Sequence, residues 1–139
     1  MAHKIKLEVV SPEKTVFSDD VNMVIAHSTG GEIGILPNHA PLIASLTTDF
    51  FRILTDDGEK TLAVTGGFIE VQPKKITVIA VTAETPEEID VDRAQKALER
   101  AKERLVQKKQ EIDELRAQAA LKRAILRLTL AERYRHRHR

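Results

Sequence analysis

ITVIAVTAETPEEIDVDRAQKALERAKERL, residues 76–105, changes its periodicity half-way along, and that change decides the architecture. Ile76–Val81 is a short block of β-branched and apolar residues, which reads as a strand. Thr85-Pro86-Glu87-Glu88 then puts a proline and two acids where a helix start favours them, and Asp90 is placed to cap a helix beginning just after it. From there Ala94, Ala97, Leu98, Ala101 and Leu105 recur at helical spacing on one face. The stretch joins a β-type body to a helical segment.

Charge changes sign at the same place. Residues 1–90 hold 7 Lys/Arg against 14 Asp/Glu, a net of −7, whereas residues 91–139 hold 15 against 7, a net of +8. The overall +1 conceals this split. Beyond Asp90 there is neither Gly nor Pro, and Ala, Leu, Glu, Lys, Arg and Gln dominate. A cationic helical appendage can choose between its own acidic body and another acidic partner, so a movable regulatory element is the first functional idea the chain suggests.

A chain of 139 residues suits one domain of about 90 residues plus an appendage. Aromatic residues make up 4% and Trp is absent, so the core must be built from Val, Ile, Leu and Ala. Without cysteine, disulfides, thiol catalysis and Cys-based zinc sites are excluded. No run of about 18 apolar residues exists to span a bilayer. MAHKIKLEVV enters a strand-like alternation at once, without the apolar region of a signal peptide. The chain is expected to be made and kept in the cytosol and to meet a membrane only through a partner.

Outward from the boundary, the body reads as about nine short strands. Residues 4–10 alternate, with Ile5, Leu7 and Val9 on one side. Ser11-Pro12-Glu13-Lys14 is a turn, and Ser18-Asp19-Asp20 interrupts the runs at Val16-Phe17 and Val21–His27. Glu32–Leu36, Leu42–Leu46, Phe50–Leu54, Thr61–Val64, Gly66–Val71 and Ile76–Val81 come next, with Asp56-Asp57-Gly58-Glu59 as a hairpin turn. Strands this closely spaced predict a sandwich or barrel. On the helical side, Gln107–Gln110 lacks apolar residues and suggests a break. A second pattern then runs through Ile112, Leu115, Ala119, Leu121, Ile125 and Leu128, without forming one clean stripe with the first. The tail from Arg133 to Arg139 has little to pack and is expected to fray.

Several motifs invite chemistry and decline it. Gly30-Gly31 and Gly66-Gly67 are not followed by a phosphate-loop GK[ST] and open no helix, so they read as turns and bulges. The adjacent acids Asp19-Asp20, Asp56-Asp57 and Glu87-Glu88 read as solvated turns rather than a convergent pair. His39 has no metal-ligand spacing around it and reads as structural or interfacial. Residues 31–42, GEIGILPNHAPL, are dense in Gly and Pro. With apolar Ile33, Ile35, Leu36 and Leu42 they form a candidate docking loop. The basic half has one aromatic, Tyr134, and mixes acids among its bases, which argues against nucleic acid; its mostly alanine apolar face argues against a membrane helix. In a helical hairpin Arg93, Arg100, Arg123 and Arg127 would converge. Such a cluster is either a polyphosphate site or a solvated charged face, and the residues alone favour the second.

Four segments together carry a resemblance. They are KIKLEVVSPEKTVFSDDV (4–21), GEIGILPNHAPLIASL (31–46), TGGFIEVQPKKITVIA (65–80) and IDVDRA (89–94) ahead of an Ala/Lys/Arg/Glu-rich helical pair. In this order and spacing, over essentially the whole length, the chain closely resembles the ε-subunit family of bacterial F-type ATP synthases. The resemblance implies a β + α fold, with an N-terminal β-sandwich of about ten strands (residues 1–85) followed by a C-terminal two-helix hairpin (residues 86–139). It implies a non-catalytic rotor subunit at the cytoplasmic face of the cell membrane. There the β-domain would couple the γ subunit to the c-ring during proton-driven ATP synthesis. It also implies helices that lie folded on the body or extend along γ towards the α and β subunits, the extended form inhibiting ATP hydrolysis. Some members bind ATP on the folded helices through an I/L-D-x-x-R-A motif, met here by Ile89, Asp90, Arg93 and Ala94. Family ligands outside that motif fall on Glu84, Arg100, Arg123 and Arg127. ATP is thus the expected regulatory ligand, with or without Mg²⁺, and no catalytic residue is expected. Two other classes compete: a free-standing nucleotide sensor, which would not co-purify with γ, and a small β-sandwich enzyme, for which no catalytic constellation speaks.

Overall fold

A computed structural model of the chain describes residues 3–107 and 111–137. The chain divides into two compact units, residues 1–85 and 86–139.

The first unit arises from alternation. Strand β1 (Ile5–Val10) turns Ile5, Leu7 and Val9 inwards, all at most 2% exposed. Its neighbours are β2 (Thr15–Val21), antiparallel, and β7 (Lys75–Ala80), parallel, with Leu7 opposite Ile76 and Val9 opposite Val78. Two strands of 14 residues, β5 (Leu42–Thr55) and β6 (Gly58–Val71), form the antiparallel spine. Strands β3 (Met23–Ser28) and β4 (Gly31–Ile35) complete one end, and the two-residue β8 (Ala83–Glu84) pairs with β6. The sheet order is β2-β1-β7-β6-β5-β3-β4. Inward residues from every strand meet in one cluster, with β2 reaching β5 across the fold. The sheet is therefore closed over on itself as a sandwich. Phe51, 1% exposed, is the largest fully buried side chain of the core. Burying an Ile, Val or Leu contributes about 1.5–3 kcal/mol, so such a core needs no second aromatic.

The described residues contain eight strands, not about ten. Leu42–Leu46 and Phe50–Leu54 are one strand, because Thr47, Thr48 and Asp49 continue the ladder half-buried. Thr61–Val64 and Gly66–Val71 are likewise one strand, since Gly66 and Gly67 bend it through positive φ without ending it. Ser18-Asp19-Asp20 does not interrupt β2. As an edge strand it tolerates an exposed polar run, and the break falls at Asn22. An ion pair between Lys4 and Asp56 joins the start of β1 to the β5–β6 turn. Hydrogen bonds from Lys4 and Asn22, then the Lys4 charge, hold the Asp56 carboxyl below its ordinary range.

The second unit begins with a 3₁₀ turn at Pro86–Glu88, followed by α1 (Val91–Gln107) and α2 (Glu111–Arg137). The suggested break after Gln107 falls at 108–110, outside the described residues. Both helices contact each other, and α2 also contacts the 3₁₀ turn, so the pair forms an antiparallel hairpin. Ala94 and Ala101 are buried on α1, and Ala117, Ala124 and Ala131 on α2, each set spaced by seven. The face predicted for α1 is the one that packs, with Ala97, Leu98 and Leu105 half-buried beside the two alanines. The pattern predicted for α2 packs only in part, with Leu121 and Leu128 half-buried. Leu115 and Ile125 are 59% and 48% exposed and Ala119 is exposed, while Leu126 and Leu130 are buried beyond the alanines. Small residues form the close seam, so the bulky residues are carried elsewhere; the side chain of Ile112 lies outside the described residues. Each alanine of the seam contributes little by itself, about 0.8 kcal/mol for a buried methyl.

The tail does not fray at Arg133: α2 runs to Arg137, with 138–139 outside the described residues. Glu132 pairs with Arg135 and His136 at i,i+3 and i,i+4, and basic residues in the last turn suit the helix dipole.

Candidate functional site

The junction predicted to matter is built around one carboxylate. Asp90 Oδ1 accepts the backbone N–H of Arg93 at 3.0 Å, and its carbonyl accepts that of Ala94 at 3.0 Å. Asp90 is therefore the N-cap of α1, satisfying donors the helix cannot satisfy itself. Ile89 is buried at 8% exposure, and its N–H reaches the Pro86 carbonyl at 3.3 Å. Ala94, 4% exposed, is the first alanine of the seam. The cap fixes the first turn, from which Arg93 stands exposed beside the seam.

Arg93 and Arg100 lie two turns apart on one side of α1, both exposed. Arg123 and Arg127 lie one turn apart on α2, both half-buried. All four arginines belong to the helical unit, as do Ile89, Asp90 and Ala94. The eighth predicted residue, Glu84, is half-buried on β8 of the first unit. Four guanidiniums on a capped two-helix unit are a donor set suited to phosphate oxygens. At the same end of the hairpin, Tyr134 of α2 hydrogen-bonds to Glu87 of the 3₁₀ turn; that bond, with desolvation and the Glu87 charge, raises the phenol above its ordinary value.

The docking loop is narrower than its sequence suggests. Ile35 is fully buried, and Ile33 and Leu42 pack against the core, because they take the inward register of β4 and β5. Leu36 alone of the four stands out, at 56% exposure, and Asn38 takes φ 67° in the loop between the two prolines. His39 bonds only locally, its Nδ1 lying 2.7 Å from the Ala40 carbonyl.

A larger apolar surface is not evident from the sequence. Ile43, Phe68, Ile79 and Val81 are 73%, 58%, 58% and 62% exposed. Ser45, Phe68 and Ile79 align across β5, β6 and β7, one row from Ile43, and Val81 bonds back to Gly66. The signal that could have found it is parity: Phe68 is out of step with inward Ile69 and Val71, and Ile79 lies between inward Val78 and Ala80.

Known proteins match the chain along nearly its whole length. The profile of the ATP synthase Delta/Epsilon chain beta-sandwich domain matches residues 4–86, and that of the ATP synthase Delta/Epsilon chain long alpha-helix domain matches residues 87–132. An ATP synthase epsilon chain of Carboxydothermus hydrogenoformans is 53% identical over 108 residues, 78% of this chain and 81% of that one. One from Brevibacillus brevis is 52% identical over 106 residues, 76% and 80% of the two chains. Among solved structures, a chain of the Euglena gracilis mitochondrial ATP synthase (OSCP/F1/c-ring) superposes with TM-score 0.74 at 24% identity, covering 86% of this chain and 76% of its own. A chain of the Tetrahymena thermophila mitochondrial ATP synthase central stalk and c-ring superposes with TM-score 0.61 at 15% identity, covering 95% and 96%. At these identities the two superpositions speak for the fold.

Proposed function

The chain belongs to the delta/epsilon chain family of ATP synthases, and from that premise we propose that it works as a non-catalytic rotor subunit with a ligand-controlled brake. In this reading the sandwich couples the γ subunit to the c-ring during proton-driven ATP synthesis. The complex, not a span of its own, holds it at the cytoplasmic face of the cell membrane; no helix among the described residues is long and apolar enough to cross one. The exposed face of Ile43, Phe68, Ile79 and Val81, with the Leu36 loop beside it in sequence, is the docking surface for these rotor partners.

The helical unit is the brake. Extended along γ towards the α and β subunits it inhibits ATP hydrolysis; folded, it binds ATP. The observation that carries this reading is the unit itself, a cationic hairpin closed on alanines and started by a capped IDVDRA turn. A gap of a few kcal/mol between the two forms is one that a ligand preferring one of them can tip. Arg93, Arg100, Arg123 and Arg127 hold the triphosphate by charge-assisted bonds. Ile89 and Ala94 shape the apolar wall, and Asp90 keeps the first turn in place.

Titration calorimetry on the isolated chain tests the nucleotide. Arg93→Ala and Arg127→Ala are each expected to weaken ATP about ten- to a hundredfold. Repeating the titration with Mg²⁺ or a chelator reads whether the metal accompanies the nucleotide. No binding at millimolar ATP, or one affinity in all three proteins, would reduce IDVDRA to a helix cap.

A further inference from the structure

The helical profile ends at residue 132, yet α2 continues to Arg137. Tyr134, in the added residues, makes a cross-link to the start of the hairpin. Tyr134 reaches the 3₁₀ turn that precedes α1, where it meets Glu87, so the last turns of one helix are tied to the entry of the other. Tyr134 is half-buried, one turn beyond buried Leu130, and ties the two helices at the end of a seam lined by Ala94, Ala101, Ala117, Ala124 and Ala131. Other charges at this end sort by element. Glu88 shares the 3₁₀ turn, Asp92 comes after the Asp90 cap on α1, and Glu132, Arg133, Arg135, His136 and Arg137 belong to α2. Of these, Glu132 is paired with Arg135 and His136 on its own helix.

We propose that Tyr134 and Glu87 form a latch that keeps the helical hairpin closed, so that α2 leaves α1 only after this bond opens. A phenol donating to a carboxylate is stronger than a neutral pair and depends on geometry. It holds while the phenol keeps its proton and both ends of the hairpin are in place. The latch needs no nucleotide. It adds to whatever ATP contributes and biases the chain towards its folded form when ATP is scarce. Its consequence for hydrolysis rests on the brake reading above; the latch itself does not.

Composition makes the test clean. The chain has one tyrosine and no tryptophan, so phenolate absorbance and intrinsic fluorescence report Tyr134 alone. It has no cysteine, so Gln95→Cys and Lys122→Cys, both at exposed positions, place a spin-label pair across the hairpin without background. In the full-length labelled chain without nucleotide, Tyr134→Phe is expected to raise the long-distance population roughly two- to tenfold. Glu87→Ala should do the same, and Glu87→Gln, which keeps an acceptor, should recover much of the closed form. In the unlabelled chain the phenolate midpoint should lie above that of Glu87→Ala. Equal distance distributions in wild type and Tyr134→Phe would overturn the latch. A phenolate midpoint indifferent to Glu87→Ala would overturn Glu87 as its partner. ATP hydrolysis by enzyme assembled with Tyr134→Phe is read separately. If the hairpin opens but hydrolysis does not fall, the latch stands and the brake reading fails.

Discussion

At Gly67 the backbone takes φ 123°, and a Cβ built there would come within 2.1 Å of the Ile79 carbonyl oxygen and 2.8 Å of Ala80 Cα. Both obstacles are main chain of the neighbouring strand, which cannot swing aside as a side chain can. Gly66, also at positive φ, has nothing nearer than 3.8 Å, so the two glycines of one pair do different work. Gly66 supplies the bend, and Gly67 lets β6 and β7 approach. Gly67→Ala is therefore expected to cost more than about 2 kcal/mol in urea denaturation, through conformational strain and displaced pairing together. Gly66→Ala should cost less, carrying the strain alone. Equal losses at the two positions would place the cost in φ and not in strand contact.

Elements show what the sequence could and could not reveal. Strand β1, the Asp57-Gly58 turn and the start of α1 were legible, because alternation, turn chemistry and an N-cap are local signals. The joins within β5 and β6 were not, since a ladder passing through Thr47–Asp49 or Gly66-Gly67 is decided by partners far along the chain. Nor was the packing face of α2: hydrophobicity points to Leu115 and Ile125, whereas close helix approach selects Ala117, Ala124 and Ala131. The hairpin on which the expected convergence of the arginines depends is present, since α1 and α2 pack together. The outward apolar face was hidden in plain alternation, and it yields a prediction at this scale. Phe68→Ser and Ile79→Ser remove side chains already 58% exposed, so the chain alone should lose under about 1 kcal/mol in stability. Binding to γ, measured by co-purification and calorimetry, should fall sharply, because apolar anchors dominate such interfaces. Unchanged affinity would move the docking surface elsewhere on the sandwich.

For the whole molecule, the decisive fact is that the two compact units carry opposite charge, −4 over residues 1–85 and +5 over residues 86–139. The core cluster of the sandwich is drawn entirely from residues before Thr85, so removing residues 91–139 takes nothing from that cluster. The truncated chain is expected to fold, to join γ, and to leave ATP synthesis coupled. Hydrolysis by the assembled enzyme should rise, because the cationic helices are then absent from the acidic surfaces they would otherwise meet. Charge should carry part of that effect. Neutralising Arg116, Lys122, Arg123 and Arg127 together should release hydrolysis partly. Raising ionic strength from 0.05 to about 0.5 M should shrink the difference between full-length and truncated enzyme, since the screening length falls to a few ångströms. Two of the four, Arg123 and Arg127, belong to the proposed ATP site, so the hydrolysis assay needs the truncated chain as its reference and the calorimetry as its control. A truncated chain that failed to bind γ would end the division of labour between the units. A truncated enzyme hydrolysing no faster than the full one would leave the hairpin as a nucleotide-binding appendage without a brake.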